Sequence, residues 1–210
     1  MAVCAVVVTA CYAWLDRPVA FYVHDRGWAK IEALKWLTEP PPMVQAWSPL
    51  VLVVLVVCRA LRTWTPWQRT LFVSCLSLIV ADQFRTSLGD VFGRYWPETW
   101  FENNPSLIGT GAYGFHPFVR GDDIGSFPSG HAARIVGFAS VWWIARPQIR
   151  WFLVAICMPL LTSLVAMNYH FVGDVLAGGV LGGIVGAWAA ALGNVKPAQS
   201  ISSASPASPV

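Results

Sequence analysis

Residues 127–174 decide the fold of this chain and read FPSGHAARIVGFASVWWIARPQIRWFLVAICMPLLTSLVAMNYHFVGD. Two apolar segments in this stretch are joined by a short connection that carries Arg146 and Arg150, which predicts a hairpin of two membrane helices. A hairpin returns the chain to its starting side, so the motifs at its ends, residues 127–131 (FPSGH) and 170–174 (HFVGD), face the same side of a membrane. Because histidine transfers protons near neutral pH and can act as a nucleophile, this arrangement predicts a catalytic site at a bilayer surface.

The composition is that of an integral membrane protein. Of the 210 residues, 56% are hydrophobic and only 12% are charged, whereas about 25% are charged in an ordinary soluble domain. The net charge of +3 is too small to indicate a nucleic-acid partner. The five cysteines lie in apolar segments without a C-x-x-C motif, so neither a zinc site nor a disulfide framework is indicated. We predict one membrane domain over residues 1–194 and a disordered cytoplasmic tail over residues 195–210.

The hydrophobic pattern predicts an all-α bundle of six transmembrane helices, since a crossing takes about 20 apolar residues. The first segment is short for a crossing unless the helix continues past Asp16, Arg17 and Pro18. A cleaved signal peptide is the alternative, but the segment lacks a basic leader, which favours a retained span. The predicted spans cover approximately residues 2–15, 43–58, 70–88, 130–144, 151–167 and 172–192.

The distribution of charge orients this bundle. Alternate connections carry basic residues and no acid, namely Arg59, Arg62, Arg69, Arg146, Arg150 and Lys196. All eleven Asp and Glu residues fall on the other side or at span ends near it. Because cytoplasmic loops of membrane proteins are enriched in Lys and Arg, both termini are predicted to be cytoplasmic. Both histidine motifs then lie on the extracytoplasmic side of the cell membrane.

Two further patterns concern the membrane surface and helix packing. Residues 26–39 place apolar side chains at helical spacing among charged ones, which predicts an amphipathic helix on the outer surface. The last span carries Gly178, Gly182 and Gly186, a face that allows close helix packing. Packing within the protein's own bundle is favoured, and a homodimer is the alternative.

The PSGH motif has the properties of an anion site. Ser129 suits the N-cap of the following helix, and Gly130 lets a ligand approach the backbone. The helix start offers unpaired N–H groups and a positive dipole end, which suit phosphate. The alternative, weighted equally from this motif alone, is that Ser129, Gly130 and His131 only cap a membrane helix.

His170 and Asp174 stand four residues apart, which places them on one face of a helix. A carboxylate bonded to one imidazole nitrogen fixes the tautomer and leaves the other nitrogen free to attack. The alternative is a hydrogen-bonded pair that caps the last span. The cost of placing ionisable groups at a membrane boundary favours a functional role.

Three arginines near the predicted outer boundary are candidate phosphate ligands, because a guanidinium stays charged and binds phosphate oxygens in a fork. Arg94 follows the third span, and Arg134 lies three residues beyond His131 on the same helix face. Arg85 lies near the outer end of the third span, where Asp82 could instead neutralise it.

These residues resemble the signature of the type-2 phosphatidic acid phosphatases, the membrane branch of a superfamily that also holds glucose-6-phosphatase and vanadium haloperoxidases. The family pattern is K-x6-R-P, then P-S-G-H, then S-R-x5-H-x3-D. Residues 128–131 match the second part in full, and Ser163, His170 and Asp174 match the third. The resemblance covers residues 85–174, and the six-span layout extends it along the chain.

The resemblance implies a role for each matched residue. His170 would take the phosphoryl group as a phosphohistidine, Asp174 would orient it, and His131 would protonate the leaving alkoxide before water hydrolyses the intermediate. Such a mechanism needs neither a metal ion nor another cofactor. The phosphate oxygens would be held by Ser129, Gly130 and Arg94.

The sequence departs from the family pattern at two places. Leu164 stands where the third motif has arginine, and Trp96-Pro97 stands where the first has R-P. The lysine of the first motif would fall near residues 88–89, and neither Leu88 nor Gly89 binds phosphate. We therefore hypothesise that Arg85 and Arg134 supply the missing charge.

Three classes of function follow from these patterns. The first is a phosphatase that acts on a lipid phosphate or pyrophosphate, whose headgroup lies at the depth of the two histidines. The second is a lipid phosphotransferase that uses the same residues, and the third is a binding or scaffold protein with weakened catalysis. A haloperoxidase is disfavoured because a redox enzyme with bound vanadate would not need this bundle of transmembrane helices. Candidate headgroup contacts in residues 95–126 are Glu98, Asn103, Asn104, His116, Arg120, Asp122 and Asp123.

Overall fold

The protein is a helical bundle. The computed structural model describes residues 2–100, 103–119 and 124–197. In this part of the chain, β-type pairing is limited to isolated bridges that join Arg94 to Phe115 and Trp96 to Ser106. The helices are α1 Ala2–Asp25, α2 Glu32–Thr38, α3 Pro40–Leu61, α4 Pro66–Phe92, α5 Leu107–Thr110, α6 Gly130–Ala145, α7 Arg150–Ala166 and α8 Val172–Leu192.

Local sequence explains where several of these helices begin and end. Thr65 and Gln68 form a reciprocal capping box at the start of α4, and Gly93 ends that helix in the left-handed conformation with φ of 52°. The prolines at residues 40–42 form the first turn of α3 rather than a break, because the first helical positions need no N–H donor. In α1 the helix continues past Asp16 through a π-helical turn at Cys11–Leu15, which gives the first segment the length that it needed.

Five helical stretches in the described residues are long and apolar enough to cross a membrane: Ala2–Asp25, Glu32–Leu61, Pro66–Phe92, Pro147–Ala166 and Val172–Leu192. The prediction of an all-α membrane protein is therefore confirmed. The predicted fourth span is helical, but α6 has only 16 residues. At 1.5 Å per residue it is about 24 Å long, which is shorter than a hydrocarbon core of about 30 Å. The count of six crossings and the cytoplasmic termini stay predictions.

The helix predicted over residues 26–39 is present in a shorter form, and its place on the outer surface stays a prediction. A 3-10 turn at Trp28–Lys30 precedes α2, so residues 26–39 are helical in two pieces. Ile31 has extended backbone between the two pieces. Trp36 is largely exposed on α2, as expected for a side chain that meets a membrane surface.

The glycine face of α8 packs against α6 within the bundle. A Cβ atom added to Gly178 would lie 2.3 Å from the backbone oxygen of Ser129, and one added to Gly182 would lie 2.4 Å from that of Ala133. At Gly186 it would lie 2.6 Å from Ser140 Cβ. The prediction of packing within the protein is confirmed for these three glycines. This close approach holds the two histidine motifs next to each other.

Replacing Gly178 with alanine is expected to destabilise the protein, because the new methyl group collides with α6 backbone that cannot move aside. Overpacking of this kind costs about 1–3 kcal/mol in protein interiors. Gly179 provides the matched control, since its added Cβ would meet only Val136 Cγ2 at an ordinary 3.9 Å. Thermal unfolding in detergent measures both variants. Equal melting temperatures for Gly178→Ala and Gly179→Ala would contradict the packing described here.

Candidate active site

The two histidine motifs meet at one end of the bundle. His131 lies in the first turn of α6, and His170 lies in the turn just before α8. Their ring centroids are 5.9 Å apart at an interplanar angle of 62°. The ring of Trp96 also packs against His170, with centroids 5.2 Å apart. The sequence-based expectation that the motifs meet in space is therefore met.

The imidazole of His170 is held in one tautomer. Its Nδ1 lies 3.0 Å from the backbone oxygen of Ser126. A carbonyl oxygen only accepts hydrogen bonds, so Nδ1 must carry the proton. The lone pair then resides on Nε2, which is the state that a nucleophilic imidazole needs.

Asp174 does not orient His170 directly, in contrast to the sequence-based expectation. The nearest carboxylate oxygen is 3.9 Å from Nδ1, beyond hydrogen-bond distance. Its two oxygens are instead engaged by Arg94 Nη1, by Ser126 Oγ at 2.5 Å and by the backbone N–H of Phe171 at 3.0 Å. Ser126 therefore takes the orienting role, and it carries no signal in the sequence that would have singled it out.

Arg94 is not placed to bind phosphate, which corrects the expectation from the sequence. Its guanidinium is fully buried between Asp174 and Asp16, with Nη2 2.6 Å from Asp16 Oδ2. The rings of Phe115 and Phe171 lie 4.9 and 4.2 Å from its central carbon. Burial by itself would lower the pKa of Arg94, but the two carboxylates raise it above its ordinary value. Arg94 is thus a permanent charge inside the protein.

The start of α6 forms a cradle next to the histidines. Ser129 caps the helix by accepting from the N–H of Ala132 at 3.4 Å, which leaves its own hydroxyl hydrogen free to donate. The N–H groups of Gly130 and His131 have no acceptor within the helix. A Cβ at position 130 would lie 2.7 Å from Arg85 Nε, so only glycine lets the Arg85 side chain lie against this backbone.

Arg85 and Arg134 differ in their ion pairs and hydrogen bonds. Arg134 donates to Asp82 at 2.8 Å, and Gln45 donates to the other oxygen of Asp82 at 2.7 Å. Asp82 therefore forms its ion pair with Arg134 and not with Arg85, and the carboxylates of Asp82 and Asp90 act on Arg85 only through space. Within residues 2–100, 103–119 and 124–197, Arg85 forms no ion pair, and its buried Nε has no hydrogen-bond partner. Arg85 is a cation left available at the helix start.

The position of Leu164 explains one departure from the family pattern. Its side chain is fully buried in the core cluster with Leu160 and Val175. Its backbone oxygen accepts from the N–H groups of Tyr169 and His170. A charged side chain at this position would lie in the apolar core, so leucine is the residue that fits.

Residues 95–126 contain fewer accessible candidates for headgroup contacts than the sequence indicated. Glu98 accepts from Asn168 and pairs with His24, the Asn104 side chain is buried, and His116 packs against the ring of Tyr95. Asn103 is exposed. Arg120, Asp122 and Asp123 lie outside the described residues, as does nearly all of the predicted tail. In the described part of the chain, no group of three or more His, Cys, Asp or Glu side chains could hold a metal ion.

The burial of His170 predicts how stability depends on pH. Burial, followed by the positive charges of His131 and Arg85, lowers the pKa of His170 well below its ordinary value of 6.5. Below about pH 6.5 the unfolded chain binds a proton at this residue that the folded chain does not bind, so stability falls as the pH falls. Melting temperatures of wild type and His170→Gln between pH 8 and pH 5 measure this effect. A slope that is no shallower in His170→Gln would contradict it.

The fold and the site define a helical membrane protein in which two histidines and flanking arginines meet at one end of the bundle. The sequence profile of the PAP2 superfamily matches residues 70–196, which contain both histidine motifs. The chain belongs to the PAP2 superfamily, and this membership indicates phosphatase-type activity. No significant match was found among curated proteins. A search of solved structures likewise gave none.

Proposed function

We propose that the protein is a membrane phosphatase that hydrolyses a lipid phosphate or pyrophosphate through a phosphohistidine at His170. The observation that carries this proposal is the hydrogen bond from His170 Nδ1 to the Ser126 carbonyl, which leaves Nε2 unprotonated beside His131. A nucleophile and a proton donor side by side at a helix N-terminus suit phosphoryl transfer, in which positioning and charge stabilisation provide most of the catalysis.

The reaction takes two steps. In the first, His170 Nε2 attacks phosphorus while the bond from phosphorus to the lipid oxygen breaks. Protonated His131 transfers its proton to that oxygen, so a lipid alcohol leaves, or a lipid monophosphate when the substrate is a pyrophosphate. In the second step, neutral His131 accepts a proton from a water that attacks phosphorus. The nitrogen–phosphorus bond breaks, inorganic phosphate is released, and both histidines return to their starting state.

The phosphate oxygens are held at the start of α6. The N–H groups of Gly130 and His131 point along the helix dipole, and the Ser129 hydroxyl adds one donor. Arg85 supplies a full positive charge beside Gly130, and Arg134 supplies a second from its ion pair with Asp82. These two arginines take the place of the charges that the altered motifs lack. Arg94 and Asp174 act behind the site, through Ser126.

A lipid substrate is supported by an apolar groove that ends next to the site. The groove has a volume of about 570 Å³ and lies between α1, α4 and α8. Its lining includes Phe127 and Pro128, the two residues that precede Ser129, and Leu88, one turn beyond Arg85 on α4. A phosphate held at Gly130 would therefore have an apolar channel beside it for a hydrocarbon chain. The extracytoplasmic face follows from the charge distribution of the loops.

The proposal is tested by measuring inorganic phosphate released by the detergent-purified protein. The substrates are lipid monophosphates, lipid pyrophosphates and water-soluble phosphate esters without a chain, each with EDTA present. We expect release from lipid substrates, faster than from the soluble esters, and none from His131→Ala. Faster release from the soluble esters would contradict the lipid assignment.

A phosphotransferase is separated from a phosphatase by an added acceptor alcohol. A transferase would form product only when the acceptor is present, whereas a hydrolase releases phosphate without it. No release and no transfer by a folded protein would favour the scaffold alternative.

A further inference from the structure

Asp16 is a buried acid in the middle of the first apolar helix. Its side chain is fully inaccessible to solvent. One carboxylate oxygen accepts from Arg94 Nη2 at 2.6 Å, and the other accepts from the backbone N–H of Gly173 at 3.0 Å. The π-helical turn at Cys11–Leu15 comes directly before Asp16, and such turns often occur at functional sites. An ionisable residue within a membrane helix is costly and is usually retained for a function.

A continuous series of contacts leads from Asp16 to His170. Arg94 bridges the carboxylates of Asp16 and Asp174. Asp174 accepts from Ser126 Oγ, and the backbone oxygen of Ser126 accepts from His170 Nδ1. Asp16 also binds the first turn of α8 through Gly173, where an added Cβ would lie 3.1 Å from its Oδ2. The tautomer of His170 therefore rests on a network that is anchored in α1.

We infer that Asp16 is a positioning residue that fixes Arg94 and, through it, sets the geometry and the charge around His170. The network contains one guanidinium and two carboxylates, so it carries one net negative charge when all three are ionised. When Nε2 forms a bond to phosphorus and Nδ1 keeps its proton, the His170 ring becomes a cation. Asp16 neutralises Arg94 and thereby leaves the charge of Asp174, 3.9 Å from Nδ1, available to that cation.

This inference rests on the proposed function for its kinetic consequence only. The family match begins at residue 70, so it assigns no role to Asp16. Among residues 2–100, 103–119 and 124–197, the charged and titratable groups that act on His170 include His131 and Arg134 on α6, Arg85 on α4 and Asp174 on α8. Asp16 acts on His170 from α1, through Arg94.

The kinetic test is Asp16→Asn, which preserves shape and removes the charge. We expect kcat to fall about tenfold or more, which corresponds to about 1.4 kcal/mol of lost transition-state stabilisation. KM should change less than about threefold. Asp25→Asn is the matched control, since Asp25 is exposed at the end of the same helix. Unchanged kcat in Asp16→Asn would overturn the inference.

The second readout does not depend on phosphatase activity. The chain has only four histidines, so the ring nitrogens of His170 can be followed by NMR in protein labelled with ¹⁵N-histidine. At neutral pH we expect the Nδ1–H form in wild type and in Asp25→Asn, and a reduced share of it in Asp16→Asn. Identical His170 signals in Asp16→Asn and wild type would overturn the inference, even if wild type hydrolysed none of the substrates.

Discussion

Replacing His170 with alanine is expected to abolish phosphate release. The variant lacks the proposed nucleophile, the ring that lies beside His131. Loss of a nucleophile typically lowers kcat by about 10³-fold to 10⁶-fold. Because the native ring is buried and packed against Trp96, some loss of stability is also expected. His170→Gln retains more of the side-chain volume and separates the loss of chemistry from a loss of packing.

His24→Ala is the control for the His170 variants. His24 is 45% exposed, and its Nδ1 lies 3.1 Å from Glu98 Oε1, away from the paired histidines, so turnover is expected to stay within about twofold of wild type. Phosphate release is measured for each variant at equal amounts of folded protein. Turnover by His170→Gln within tenfold of wild type would remove His170 from the reaction.

Replacing Arg85 with alanine is expected to lower kcat/KM by about 10²-fold, the loss typical for a donor that stabilises transition-state charge. Arg85 lies against Gly130 without an ion pair in the described part of the chain, so its charge is available to a bound phosphate. Arg134→Ala is expected to have a smaller effect, because part of the charge of Arg134 is cancelled by Asp82. Arg85→Lys keeps the positive charge but cannot donate two parallel hydrogen bonds to phosphate. It should therefore recover only part of the activity.

Arg59→Ala is the matched control for the arginine variants, since Arg59 lies exposed at the opposite end of the bundle. Phosphate release across a range of substrate concentrations separates kcat from KM in each variant. Near-normal kcat/KM in both Arg85→Ala and Arg134→Ala would show that neither arginine replaces the charges missing from the family motifs. The anion would then be held by the Ser129 hydroxyl and the backbone N–H groups at the start of α6.

The helices were largely predictable because their signals are local. The apolar runs, the Ser129 cap and the three glycines of α8 depend on neighbouring residues, and the structure places each as expected. The predicted bounds of α6, residues 130–144, agree with the helix Gly130–Ala145, and its crossing of the membrane stays a prediction. The meeting of His131 with His170 also followed from the hairpin between them.

The charge network behind the site could not be predicted, because it depends on contacts between distant parts of the chain. Arg94 was expected at the phosphate, yet it pairs with Asp16, 78 residues away. Asp174 was expected to bind His170, yet Ser126 from another segment takes that role. Asp16 did carry a signal, since an acid within an apolar helix is a candidate functional residue. Spacing alone does not identify which cation an acid will meet.

The most direct test of the account is to trap the phosphorylated enzyme. The purified protein is mixed with a lipid phosphate, quenched in base within milliseconds, digested and analysed by mass spectrometry, since phosphohistidine survives base. The account predicts a phosphoryl group on His170, which appears before phosphate is released and is absent from His170→Gln. Full turnover with no phosphorylated histidine, or with phosphate on another residue, would contradict it.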